Sequence, residues 1–110
     1  LTIMRKIIYI FLLFISYLSY SQIKGFSLSQ NYPNPFNPTT KIYFDLNVNG
    51  NVKLEVFDVV GRNVQTLLNE YKTAGSYEVN FNASNLPGGV YFYKLSSGNW
   101  SEIKRMILLK

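Results

Sequence analysis

The 110-residue sequence predicts an all-β fold: a two-sheet sandwich of seven short strands behind an N-terminal hydrophobic signal helix. Three observations carry this reading. Apolar and polar residues alternate in short runs, the mark of strands with one buried face. Reversal signals such as Asn49-Gly50, Asp58–Gly61 and Ser97-Gly98-Asn99 recur every 8 to 14 residues or so. No segment of the expected domain shows a helical period.

The first fifth of the chain stands apart from that domain. Met4-Arg5-Lys6 is a short basic head, and Ile7 to Tyr20 is an apolar run broken only by two serines. Ser19-Tyr20-Ser21 then places small residues where a signal peptidase needs them, so cleavage is expected between Ser21 and Gln22. The run is about 14 residues, short of the roughly 18 to 20 that cross a bilayer. Residues 1–21 therefore read as a secretory signal peptide, 22–25 as a short linker and 26–110 as the folded domain. Leu1-Thr2-Ile3 ahead of Met4 leaves an alternative start codon and a clipped reading frame both open. Cleavage leaves 89 residues with nine Lys and Arg against six acids, a charge of +3 spread along the chain. A nucleic-acid surface would show a denser basic patch.

Along the domain, Phe26 to Gln30 alternates and predicts a first strand. Asn31-Tyr-Pro-Asn-Pro-Phe-Asn-Pro38 follows, and its prolines remove backbone donors and fix φ, so neither sheet nor helix can continue. A rigid extended crossover is expected, with Phe36 as an apolar plug. Residues 40–46 form the second strand, with Ile42, Phe44 and Leu46 inward and Lys41, Tyr43 and Asp45 outward. Residues 52–58 and 63–68 form a central hairpin around the Asp58–Gly61 turn, with Val52, Leu54 and Val56 inward. Asn69 to Ala74 is polar and reads as irregular, and Leu67–Tyr71 is open to a helical turn. Residues 76–81 carry Tyr77, Val79 and Phe81 on one face. The loop 82–89 can return Leu86 to the core. Residues 90–95 place Tyr91, Tyr93 and Leu95 opposite Val90 and Phe92, and 101–109 closes the chain. Met106 to Leu109 reads as apolar on both faces, as in a covered strand. Seven such strands in under 90 residues point to a seven-stranded immunoglobulin-like β-sandwich. Without cysteine no disulfide can staple it, so its aromatic residues, 13 of the 18 in the full chain, must supply packing.

Catalytic chemistry has little to work with. No histidine or cysteine exists, which removes the commonest general base, the usual zinc ligands and the thiol nucleophile. The six acids are dispersed, with Asp45, Glu55 and Glu78 expected on solvent faces, and no calcium loop is spelled out. Pro87-Gly88-Gly89 is a turn, because a strand follows it and a phosphate loop needs a helix. Asn82-Ala-Ser84 and Asn99-Trp-Ser101 match the glycosylation sequon, which carries no information without a glycosylating host. A non-enzyme with no cofactor, no metal and no small-molecule substrate is expected.

Four stretches occur in a telling order: NYPNPFNPTT at Asn31–Thr40, VFDVVGR at Val56–Arg62, LPGGVYFYKL at Leu86–Leu95 and KRMILLK at Lys104–Lys110. Together they resemble the type A C-terminal sorting domain of proteins exported by the type IX secretion system in Bacteroidota and related phyla. The pattern is also similar to the immunoglobulin-like domain of the flagellar hook-capping protein. The resemblance covers about Phe26 to Lys110. It implies a non-catalytic sandwich that the Sec machinery delivers to the periplasm, that the outer-membrane type IX translocon recognises, and that a sortase-like protease removes as cargo reaches the cell surface or is secreted. Family recognition is associated with the final strand, which here is Lys104, Arg105, Met106, Ile107, Leu108, Leu109 and Lys110. Gly61 and Gly89 match the family's turn glycines. The family normally follows a large cargo, whereas only Gln22–Gly25 separates signal from domain here; a lost cargo, a truncated or minimal gene, and a domain that is the whole product are all open. The alternative from another class is a small adhesive or structural module of the cell envelope, binding through an exposed edge or an aromatic face of Tyr43, Tyr91 and Tyr93, residues that more often serve as core or cross-strand pairs.

Overall fold

The computed structural model describes residues 26–110. The signal segment 1–21, the Ser21–Gln22 cleavage position and the linker 22–25 lie outside the described residues. Seven strands follow in order: β1 (Ser27–Leu28), β2 (Thr39–Leu46), β3 (Gly50–Phe57), β4 (Asn63–Lys72), β5 (Gly75–Asn82), β6 (Gly89–Ser97) and β7 (Trp100–Leu108). They form two antiparallel sheets, β1-β2-β5 and β4-β3-β6-β7. The expected two-sheet, seven-strand sandwich is therefore present. An immunoglobulin constant-type domain groups its fourth strand with the first, second and fifth. Here β4 pairs with β3 in the other sheet, because the short turn over Asp58–Arg62 folds it straight back.

Strict alternation makes the core. Along β2, every second residue from Thr40 is buried, so Ile42, Phe44 and Leu46 face the opposite sheet. Val52, Leu54 and Val56 of β3, Tyr91, Tyr93 and Leu95 of β6, and Met106 and Leu108 of β7 meet them. Phe36 does plug one end, 5.9 Å from the Phe81 ring and 2% exposed. Phe26 against Trp100, 5.0 Å apart, closes another margin. Leu86 drops back onto the core as expected.

Four local expectations are corrected. Leu67–Tyr71 is strand, and so is the supposedly irregular stretch up to Lys72. Adjacent apolar residues broke the period there, and the structure absorbs them with register shifts. Leu54 pairs with Leu68 but Glu55 with Thr66, and Val56 pairs with Gln65 but Phe57 with Asn63. Leu67 and Val64 are the extra residues, and with Leu68 they pack partly buried against the core. The first strand is trimmed to two residues, since the proline-rich segment soon leaves the sheet. Glu55 is only 9% exposed, held by the Asn63 amide (2.9 Å) and the Lys53 ammonium (3.5 Å). Finally, β7 is covered on one face only: Met106 and Leu108 are buried, while Leu109 is 54% exposed.

The proline-rich segment is a strap between the sheets. Tyr32 exchanges two main-chain hydrogen bonds with Lys41, and Phe36 runs parallel to the end of β7. The Phe36 N–H donates to the Ile107 carbonyl (2.9 Å), and the Leu109 N–H donates to the Phe36 carbonyl (2.9 Å). The Ile107 N–H donates to the Asn34 side-chain oxygen (3.0 Å). At the root of the strap, the buried Tyr93 hydroxyl accepts from the Asn31 N–H (2.8 Å) and donates to the Ser29 carbonyl (2.7 Å). The buried Asn31 amide and Thr40 hydroxyl complete the knot: the amide donates to that hydroxyl (3.0 Å), and both donate to the Pro33 carbonyl.

Burial pushes the Tyr93 hydroxyl up to about 12, with the Glu102 charge adding and the Asn31 N–H opposing. The folded state keeps this phenol neutral after the unfolded one has ionised. That contribution is complete below about pH 10 and is lost as pH rises through about 12. Tyr93→Phe should cost about 1–3 kcal/mol, because it strands the buried Asn31 N–H and the partly buried Ser29 carbonyl. Denaturant melts at neutral pH measure that cost. Melts repeated at rising alkaline pH should show the wild type losing an increment that the variant lacks.

Candidate recognition surface around the closing strand

The seven residues expected to be recognised divide by strand geometry. Successive side chains of β7 point to opposite faces, so the even positions Met106 and Leu108 belong to the core. Lys104 is half-buried with its ammonium 3.6 Å from Glu102. Arg105 and Ile107 stand on the outer face, Arg105 exposed and Ile107 half-buried. Leu109 and Lys110 follow the strand, and the Lys110 ammonium donates to the Ser84 carbonyl (2.7 Å). Arg105, Ile107, Leu109 and Lys110 are thus within reach of a partner. Two residues of the stretch, Met106 and Leu108, are not.

Register brings other side chains beside Arg105 and Ile107. Phe57 of β3 pairs with Phe92 of β6, and Phe92 with Arg105; Glu55 pairs with Lys94, and Lys94 with Ile103; Val90 pairs with Ile107. All share the outer face of the four-stranded sheet. Sequence reasoning placed Val90 and Phe92 on the face opposite Tyr91, Tyr93 and Leu95 but missed this assembly, because the cross-strand neighbours lie between 9 and 39 residues apart and only register joins them. The signal available was the outward phase of Phe57 and Phe92.

The Asp58 turn frames this face. One carboxylate oxygen accepts the N–H groups of Val60 (3.0 Å) and Arg62 (3.0 Å), and the other accepts the Arg62 side chain (2.8 Å). Gly61 takes φ 86°, a left-handed value that side chains disfavour, and donates to the Asp58 carbonyl (3.0 Å). The Asp58 carboxylate is thus spent on bonds within its own turn. The turn also holds Val59 and Val60 out in solvent, 68% and 71% exposed. A cleft of about 480 Å³ lies between this turn and Phe57, Phe92, Lys94 and Ile103.

The aromatic face expected from Tyr43, Tyr91 and Tyr93 does not form. Tyr91 and Tyr93 are core residues, and Tyr43 lies on the other sheet beside Tyr32 in a separate cleft of about 400 Å³. Exposed apolar side chains stand at Val59, Val60, Ile103 and Leu109, and elsewhere at Tyr32, Tyr43, Val48 and Tyr71. The chain belongs to the secretion system C-terminal sorting domain family, whose model matches residues 30–109. Such a domain is the sorting signal for type IX export, which implies a destination at the cell surface or outside the cell, and domains of this kind are generally non-catalytic.

No curated protein matches the chain. Among solved structures it is similar to dimeric latent PorU from Porphyromonas gingivalis, with TM-score 0.60 and 18% identity over 78% of this chain and 10% of that one. It is also similar to PorZ, a surface component of the type IX secretion system of the same organism, with TM-score 0.53 and 20% identity over 82% of this chain and 12% of that one. At these identities the likeness is one of fold, and the chain spans about a tenth of either protein.

The Arg62 backbone N–H, with the Arg62 side chain and the Val60 N–H, holds the Asp58 carboxyl below its ordinary 3.8, against a smaller opposing effect of burial. A lowered folded value means that the contribution is present above about pH 4 and lost as pH falls through the folded value. Asp58→Asn should lower the melting temperature at neutral pH and flatten its fall towards acid. A wild type and variant that lose stability in parallel below pH 4 would contradict this.

Proposed function

We propose that the chain carries its cargo, or itself, to the type IX outer-membrane translocon as a folded address, and that the accessible residues of the closing strand are what is recognised. In this reading residues 1–21 are a Sec signal cleaved between Ser21 and Gln22, and the domain waits in the periplasm before crossing. A sortase-like protease then removes the 26–110 domain. The chain itself catalyses nothing. The observation that carries the reading is the edge position of β7. Two of its residues are locked in the core, while Arg105, Ile107, Leu109 and Lys110 are presented from a rigid sheet.

This geometry governs the test. Deleting Lys104–Lys110 would remove Met106 and Leu108 from the core and unfold the sandwich, so loss of export would be ambiguous. Arg105→Glu with Leu109→Ser leaves the core intact. With Gln22–Lys110 fused behind a reporter and a Sec signal in a type IX host, this double variant should cut surface delivery about tenfold or more. Its melting temperature should stay close to that of the wild type. Unchanged delivery would show that the tail is not recognised. The adhesive-module alternative gains Tyr32 as a companion to Tyr43, and fractionation separates it, since it predicts an intact domain retained in the envelope whether or not the translocon is present.

A further inference from the structure

The outer face of β4-β3-β6-β7 holds more apolar surface, and more unspent charge, than a solvated face needs. Phe57 and Phe92 adjoin across the strands, Ile103 beside them is 60% exposed, and Val59 and Val60 project from the turn at one end. Exposed apolar groups gathered in this way mark interaction sites. The charges are distributed just as unevenly. Lys41, Lys53, Arg62, Lys72 and Lys104 are each paired with a carboxylate. Lys94, which lines the cleft, and Arg105, which pairs across the strands with its Phe92 wall, have no acidic partner among the described residues. The Lys94 ammonium instead lies 5.5 Å from the centre of the Phe57 ring.

A backbone opening adjoins the cleft. Alternate residues of β7 direct their N–H and carbonyl away from β6. At Ile107 the strap occupies both groups, and at Arg105 the Gln30 side chain takes the carbonyl (2.7 Å). The cover ends there, and Ile103 has no main-chain partner on that side among the described residues.

We propose that this face is the docking surface for the translocon component that receives the domain, and that it takes a protein segment bearing an apolar side chain flanked by carboxylates. The apolar group enters between Phe57, Phe92 and Val59, and the carboxylates meet Lys94 and Arg105. The pattern favours a protein over a lipid surface. Asp58 lines the same cleft and Glu55 pairs across the strands with Lys94, so a uniformly anionic surface would meet like charge beside the cations. The proposal rests on the sorting reading and extends the surface recognised well beyond the tail.

The test uses substitutions outside the tail: Val59→Ser, Val60→Ser and Lys94→Glu together, in the reporter fusion, with Tyr32→Ser and Tyr43→Ser on the opposite sheet as a control. The triple variant should lose surface delivery about tenfold or more at an unchanged melting temperature, and the control should be delivered like the wild type. A photoreactive residue at 103 should form an adduct with an outer-membrane type IX protein, and one at 43 should not. Normal delivery of the triple variant, or an adduct at 103 with lipid alone, would overturn the docking face. If the tail variant fails while the triple variant passes, the tail alone is recognised. A wild-type fusion that never reaches the surface would sink the sorting reading itself, and this proposal with it.

Discussion

The structure depends on how the closing strand is held at the edge of its sheet. An edge strand has a neighbour on one side only, and its other row of backbone groups invites frayed ends or adventitious pairing. Here the Asn31–Pro38 strap takes that place. Its prolines cannot form a ladder, so it satisfies β7 with a few separate bonds from Asn34 and Phe36. Those bonds hold only if the strap itself is fixed, and the Tyr93 hydroxyl fixes it at Asn31 from inside the core. One phenol therefore ties the inner face of β6 to the covering of β7.

Under the proposed recognition of the closing strand, this arrangement couples folding to recognition. Along Lys104–Lys110, positions that complete the core alternate with positions that face outward. A partner can meet Arg105, Ile107 and Leu109 in their relative places only when Met106 and Leu108 are seated. A signal built this way reports that the domain has folded, which a linear tag of the same residues would not do.

Much of this was legible in the chain. The inward residues of β2, β3 and β6 follow from alternation, because a sheet with one buried face permits no other pattern. Phe36 was recognisable as a plug, since a bulky apolar residue among prolines has few other uses. Where reading failed, tertiary pairing had overridden local pattern. Leu67–Tyr71 admits a helical turn as an alternative in sequence because a strand with bulges violates period two. Glu55 looked exposed because its outward phase was right, while its cover comes from Asn63 and Lys53. Tyr91 and Tyr93 share one face by alternation, but tyrosine's polar end left that face open to a binding role; in the fold their hydroxyls donate to the Pro87 and Ser29 carbonyls at the margin of the core.

Sequence by itself determined the class of fold, the number of strands, most of the core and the kinship with sorting domains, since these rest on periodicity, turn chemistry and short motifs that are local along the chain. Tertiary structure alone decided which sheet receives β4, which residues of the closing strand remain reachable, and that Phe57, Phe92, Lys94 and Ile103 share one face. Those outcomes depend on cross-strand register. Register follows from the summed packing of residues far apart in sequence, and no local stretch contains it.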